Sequence, residues 1–217
     1  MTHMPTPTAR EAVTPDGVRI SYDDLGRGEP ALLLLPGWGH HRRLYEELAP
    51  RTATHRRTLA LDWRGHGRSG PPRGDFGHAD MAEDALAVVE ASGAQQVVPV
   101  GQAHGNWVIF ELRRRLGGRV PKLVALSWLM LGMPPAFQSA VEAMQDLRRW
   151  EQARDALFAM WTQGVDNPAV LRHVREDFAQ SGYEIFARAG REITADYARW
   201  GNPLVNTVAL LIDLLLG

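Results

Sequence analysis

The sequence predicts an α/β protein with a doubly wound, mostly parallel β-sheet and a helical lid. Three observations predict it. Short runs at residues 31–35, 58–61, 96–100 and 123–126 are largely apolar, and brief apolar runs bounded by turn residues read as strands buried on both faces. Residues 81–91 and 108–116 lie between them and carry apolar side chains at helical spacing, as at Met81, Ala85, Val88 and Val89. Strand–helix alternation of this kind implies a parallel sheet covered by helices. From Met133-Pro134-Pro135 onward the pattern changes to helix after helix.

Taken in order, residues 18–22 alternate apolar and polar after Thr14-Pro15-Asp16-Gly17, which predicts an opening β-hairpin. The run 31–35 is closed by Pro36-Gly37, and the helix at 108–116 ends at Gly117-Gly118. The lid is expected to contain helices at 140–147, 154–161, 169–178 and 183–187. Residues 204–216 form the most apolar stretch, broken by Asn206, Thr207 and Asp213. It falls short of the ~20 apolar residues a bilayer demands and reads as a buried or partner-seeking helix.

Composition narrows the function classes. The 217 residues carry a formal charge of −1 and are 45% hydrophobic and 23% charged, as in an ordinary globular protein. That balance offers no basic field for nucleic acid or anionic membrane. Cysteine is absent, which removes disulfides, thiolate nucleophiles and thiolate metal sites. The first ten residues are polar and proline-rich with no apolar core of a secretion signal, so the expected location is the cytoplasm. Adjacent His40 and His41 lack a carboxylate at ligand spacing, and no metal site is expected.

The chemistry centres on residues 97–107, an apolar strand entering a helix through Gly101-Gln102-Ala103-His104-Gly105. This is the geometry of a nucleophile elbow with alanine at the nucleophile position. The central residue of an elbow sits in a strained turn that larger neighbours would obstruct. Together with Pro36-Gly37-Trp38-Gly39 and Asp62-Trp63-Arg64-Gly65-His66-Gly67, the segment predicts the α/β-hydrolase fold. In that fold the amide after the nucleophile and one from an earlier loop form an oxyanion hole. By position these belong to His104 and Trp38. The bland alternative is a tight turn whose glycines serve packing alone.

With these blocks, and with Asp75-Phe76-Gly77, His104-Gly105-Asn106-Trp107-Val108, Trp128-Leu129-Met130, Trp161 and Ser181-Gly182-Tyr183, the sequence resembles the cofactor-independent 2,4-dioxygenases of the α/β-hydrolase superfamily. Those enzymes cleave the ring of 3-hydroxy-4-quinolones with release of carbon monoxide. The resemblance implies no cofactor, a small aromatic heterocyclic substrate, and dioxygen as co-substrate. It implies a histidine paired with an aspartate that removes the substrate's hydroxyl proton. It places Trp38, His40, Gln102, His104, Trp128 and Trp161 around the substrate, Ala103 at the elbow, and Ser127 where the family has its aspartate. A serine hydroxyl cannot stabilise an imidazolium as a carboxylate does, and the family's base belongs after strands this sequence does not contain.

The expected organisation is therefore a core at 11–132, a lid at 133–202, and the start of a C-terminal core helix at 203–217, with the sheet ending before its last two strands. An exposed sheet edge would then invite self-association. The reading is a protein of the dioxygenase lineage that is inactive in this form. One alternative is an ester or amide hydrolase whose elbow serine is replaced by Ala103; another is a non-catalytic binder of small aromatic ligands. Trp38 and Trp161 could serve as plain core or as ligand-stacking platforms.

Overall fold

A computed structural model describes residues 8–127 and 134–200. Trp128, Met133 and the apolar stretch at 204–216 lie outside the described residues. The opening hairpin joins β1 (Thr8–Val13) to β2 (Arg19–Leu25) in antiparallel register. Its turn is closed by the amide of Val18 donating to Oγ1 of Thr14 at 2.9 Å, and Gly17 takes the positive φ of 82° that the turn requires. β2 pairs antiparallel with β4 (Thr58–Leu61). β4, β3 (Ala31–Leu35), β5 (Val97–Gln102) and β6 (Val124–Leu126) then run parallel, giving the sheet order β1-β2-β4-β3-β5-β6.

The two faces of the sheet are read from alternate residues of its central strands. Leu33, Leu35, Leu59 and Leu61 face a large core with Val88 of α2 (His78–Ser92) and Val108 and Ile109 of α3 (Gly105–Leu116). Leu34, Ala60 and Val100 face a smaller core with Ala49 and Ala53 of α1 (Leu48–Ala53). Because both faces are covered, these strands carry apolar side chains toward both faces rather than at every second position. The lid helices α4 (Pro135–Ala143), α5 (Trp150–Trp161) and α6 (Pro168–Trp200) join the larger core through Val141, Trp150, Leu157, Phe178 and Phe186.

The strand at 123–126, apolar like a buried one, is the exposed sheet edge also expected: among the described residues it pairs only with β5, and Val124 and Leu126 are 38% and 39% exposed. Three expectations for the lid are corrected. The first lid helix begins at Pro135, earlier than expected, because proline fits the first turn of a helix. The second begins at Trp150 rather than 154. The third and fourth form one helical stretch, α6, with a sharp break at Gly182 (φ 68°, ψ 172°), a conformation glycine adopts at little cost. α1 and the 3-10 turn at Arg42–Tyr45 were not anticipated; both are too short to show a helical period.

Candidate functional site

The elbow forms where β5 turns into α3. Ala103 has φ 49°, and Ser127, immediately after β6, has φ 48°; these are the two non-glycine residues with positive φ among those described. Such backbone persists only where its surroundings enforce it. Here the enforcement is visible. The amide of Ala103 donates to the carbonyl of Leu126 at 3.0 Å. The buried Asn106 side chain donates to the carbonyls of both Ala103 and Leu126 at 2.9 Å. A Cβ at Gly101 would lie 2.7 Å from the carbonyl oxygen of Gly105, and one at Gly105 would lie 2.6 Å from that of Leu35. Both glycines are thus required by close backbone approach, and the reading of a mere packing turn does not account for the strained Ala103 between them.

A cavity of about 500 Å³ opens over the elbow. It is lined by Ala103, Ser127, Gln102 and His104 from the strand ends, Trp38 and His40 from the loop after β3, and Trp161 from the end of α5. The structure therefore brings together every anticipated site residue except Trp128, which lies outside the described residues. Sequence reasoning missed Phe137, Met160, Val174 and Tyr197, which close the cavity from the lid. An apolar residue on an amphipathic helix gives no sign of whether it faces core or cavity.

The two tryptophans differ. Trp38 is 4% exposed and packs edge-on against Phe186, ring centroids 5.0 Å apart, so it is a core residue that presents one surface to the cavity. Trp161 is half-buried, lies nearly parallel to His40 at 6.3 Å, and meets Phe178 edge-on at 5.2 Å. His104 caps the N-terminus of α3, which puts its amide at the positive end of the helix. Its ring sits among Trp38, Phe137 and Tyr197, and burial lowers its pKa to about 4, keeping it neutral.

His40 makes a contact that connects the core to the lid. Its Nδ1 lies 2.8 Å from Nε2 of His173, and the two rings stack at 4.9 Å with an interplanar angle of 8°. Nδ1 of His173 meets Oδ2 of Asp177 one helical turn later, and the Arg43 guanidinium donates to Oδ1 of Asp177 at 3.0 Å. His173 is 8% exposed and Asp177 fully buried. Burial pushes the Asp177 carboxyl up, but His173, His41 and Arg43 outweigh it and hold the group below the ordinary carboxylate range. Burial, then the charge of His173, lowers His40 well below the usual histidine value. The spacing of four between His173 and Asp177 was available in the sequence as a same-face helical pair; their meeting with His40 was not. Among the described residues no three His, Asp or Glu side chains are grouped to hold a metal ion, and no helix is long and apolar enough to cross a membrane.

Comparison with known proteins agrees with this geometry. Residues 30–200 match the family model described as alpha/beta hydrolase fold. A 2-heptyl-3-hydroxy-4(1H)-quinolone dioxygenase of Mycobacteroides abscessus is 39% identical over 199 residues, covering 91% of this chain and 74% of that protein. The 1H-3-hydroxy-4-oxoquinoline 2,4-dioxygenase of Pseudomonas putida is 34% identical over 196 residues, covering 89% and 74%. A solved structure of an AqdC variant in complex with its substrate, from work on recognition and ring-cleavage of the Pseudomonas quinolone signal, superposes with a TM-score of 0.86 at 37% identity, covering 94% of this chain and 76% of that one. Identity at this level over nine-tenths of the chain makes it a member of the α/β-hydrolase-fold family of 3-hydroxy-4-quinolone 2,4-dioxygenases.

Proposed function

We propose that the cavity over Ala103 binds a 3-hydroxy-4-quinolone and that the bound anion reacts directly with dioxygen, opening the ring with loss of carbon monoxide and without metal or flavin. The observation that carries this reading is the cavity itself: it gathers Trp38, His40, Gln102, His104 and Trp161 around an elbow that bears a methyl group in place of a nucleophile. Trp161 supplies an aromatic face for a planar bicyclic ring. The amides of His104 and Trp38 are the donors for oxyanion charge, each worth a few kcal/mol where charge develops. With alanine at position 103 no acyl-enzyme can form at the elbow, and this separates the reading from ester or amide hydrolysis.

Ser127 lines the same cavity but cannot stabilise an imidazolium as a carboxylate does. The alternative is a chain that binds the quinolone without turning it over, the reading drawn from Ala103, Ser127 and the position of the family's base together. An oxygen electrode and a carbon monoxide assay test it. Adding 3-hydroxy-4(1H)-quinolone is expected to consume dioxygen and release carbon monoxide in equal amounts, while p-nitrophenyl esters are left intact. Saturable ester turnover, or no response to the quinolone from folded protein, would contradict the proposal.

Self-association through β6 is a second part of the proposal. It rests on the exposed Val124 and Leu126 and on β6 having, among the described residues, a strand neighbour only in β5. Light scattering checks it: dimers or larger species are expected, and a monodisperse monomer counts against it.

A further inference from the structure

A second cavity, of about 20 Å³, lies behind Trp38 and His104, whose side chains line both it and the large cavity over the elbow. We propose that this chamber holds dioxygen in reserve beside the elbow. The choice of dioxygen rests on the reading of the large cavity as a quinolone dioxygenase site, whereas the size and lining of the chamber do not depend on that reading.

Size excludes an organic ring. A space of about 20 Å³ admits one diatomic-sized molecule, so the chamber is not a continuation of the quinolone site. Its walls are held in place from outside. Nε1 of Trp63 donates to the carbonyl of Pro36 at 2.7 Å, Nδ1 of His66 lies 2.9 Å from the carbonyl oxygen of Arg64, and Nδ1 of His78 lies 2.7 Å from Oδ2 of Asp196, which closes the start of α2 onto the end of α6. A void in a packed interior costs stability, and these anchored walls keep it from collapsing.

Polarity selects the occupant. Trp63, Phe76, Met81, Ala189 and Ile193 are all buried and give the chamber an apolar lining. A water molecule there would need about two to four hydrogen-bonding partners. The carboxylate of Asp196 is already engaged by His78. Nε1 of Trp38 and Trp107 and Nε2 of His66 and His104 are buried and make no hydrogen bond within the chain, but they scarcely reach the chamber's surface, which is almost all carbon. Burial lowers His66 and His104 to about 4, so both rings are neutral near pH 7. An enclosed carbon surface of this kind stays dry and takes small apolar guests. Dioxygen is the small apolar reactant of the proposed chemistry. Of the two residues that part the chamber from the large cavity, His104 is the less buried, and a turn of its ring is the way through.

The test reads the gas itself and uses no quinolone. Dioxygen is paramagnetic and speeds the relaxation of nuclei it touches. Methyl spectra of the folded chain, labelled at methionine, isoleucine and alanine, are compared under several atmospheres of dioxygen and of argon. The methyls of Met81, Ala189 and Ile193 are expected to gain several-fold more relaxation than those of Ile20 and Ile109, which are buried outside the chamber. In Ala189→Val, which fills the space, Met81 and Ile193 are expected to fall to the level of Ile109. The unaltered chain carries the test even where crowding keeps Ala189→Val from folding. In turnover, folded Ala189→Val is expected to need several-fold more dioxygen for half-maximal rate, while binding the quinolone without dioxygen as tightly as the unaltered chain. Relaxation at Met81 and Ile193 no greater than at Ile109, or magnetisation transfer from a bound water to the Met81 methyl, overturns the proposal. An unchanged dioxygen requirement in folded Ala189→Val overturns the role in supply. Chamber methyls that relax in a chain that consumes no dioxygen with the quinolone leave the gas site standing and overturn the proposed function alone.

Discussion

Lowering the pH from about 7 to about 4 is expected to remove several kcal/mol of stability and unfold the chain. The cause is a set of histidines buried as neutral rings. His66 is 2% exposed, its Nδ1 lies 2.9 Å from the carbonyl oxygen of Arg64, and burial lowers its pKa to about 4; burial lowers His104 to the same value. In the unfolded chain these rings titrate near 6.5. Between about 6.5 and 4 the unfolded state therefore binds protons that the folded state refuses. The stability each neutral ring contributes is present above the unfolded pKa and is lost as pH falls toward the folded one. At 1.36 kcal/mol per unit the loss is on the order of 3 kcal/mol per histidine, and His40 adds to it in the same direction.

Carboxyls raised by burial, Asp84 and Asp23, oppose the trend. Burial raises Asp84 to about 6 against its hydrogen bonds from Arg64, so it gains a proton in the folded state first and offsets roughly one histidine. The net loss remains a large fraction of the ~5–15 kcal/mol that folded domains possess. Urea titrations at stepped pH measure it. The predicted result is a midpoint that falls steadily below about pH 6.5, with a shallower fall in His66→Gln. A midpoint flat to pH 4.5 would show that water reaches these rings.

How much of this was legible in the sequence depends on the range of the interactions. The hairpin and the central strands were readable because Thr14-Pro15-Asp16-Gly17 and the apolar run 31–35 carry their own signals. β6 reads locally as a buried strand because Val124, Ala125 and Leu126 are apolar, and only the number of strands expected of the fold marks it as an edge, since exposure is decided by what lies beside a strand. Gly182 marks a break that propensity alone does not distinguish from a loop between two helices. The elbow was legible as a spacing of small residues around Ala103, and the cavity-lining positions of Trp38, His40, Gln102, His104, Ser127 and Trp161 follow from the same blocks. Asn106, which pins the elbow to the end of β6, was quoted only as part of a block, since nothing local gives away its two carbonyl partners. His173 and Asp177 were out of reach for a related reason. A histidine 133 positions from its partner offers no periodicity to read, and a same-face pair on a helix is more often a solvated ion pair than a buried one.

The central claim is that the cavity over Ala103 receives a planar hydroxyquinolone against Trp161. Calorimetric titration of the folded chain with 3-hydroxy-4(1H)-quinolone in the absence of dioxygen, repeated with Trp161→Ala, tests it most directly. Trp161 is half-buried and presents an aromatic surface next to His40. Removing it takes away both buried area and an aromatic contact worth ~0.5–1.5 kcal/mol beyond that area. The predicted result is saturable one-to-one binding that weakens about tenfold or more in Trp161→Ala, with the melting transition of the variant still cooperative. No heat of binding at millimolar ligand, or equal affinity for the two chains, would contradict the account.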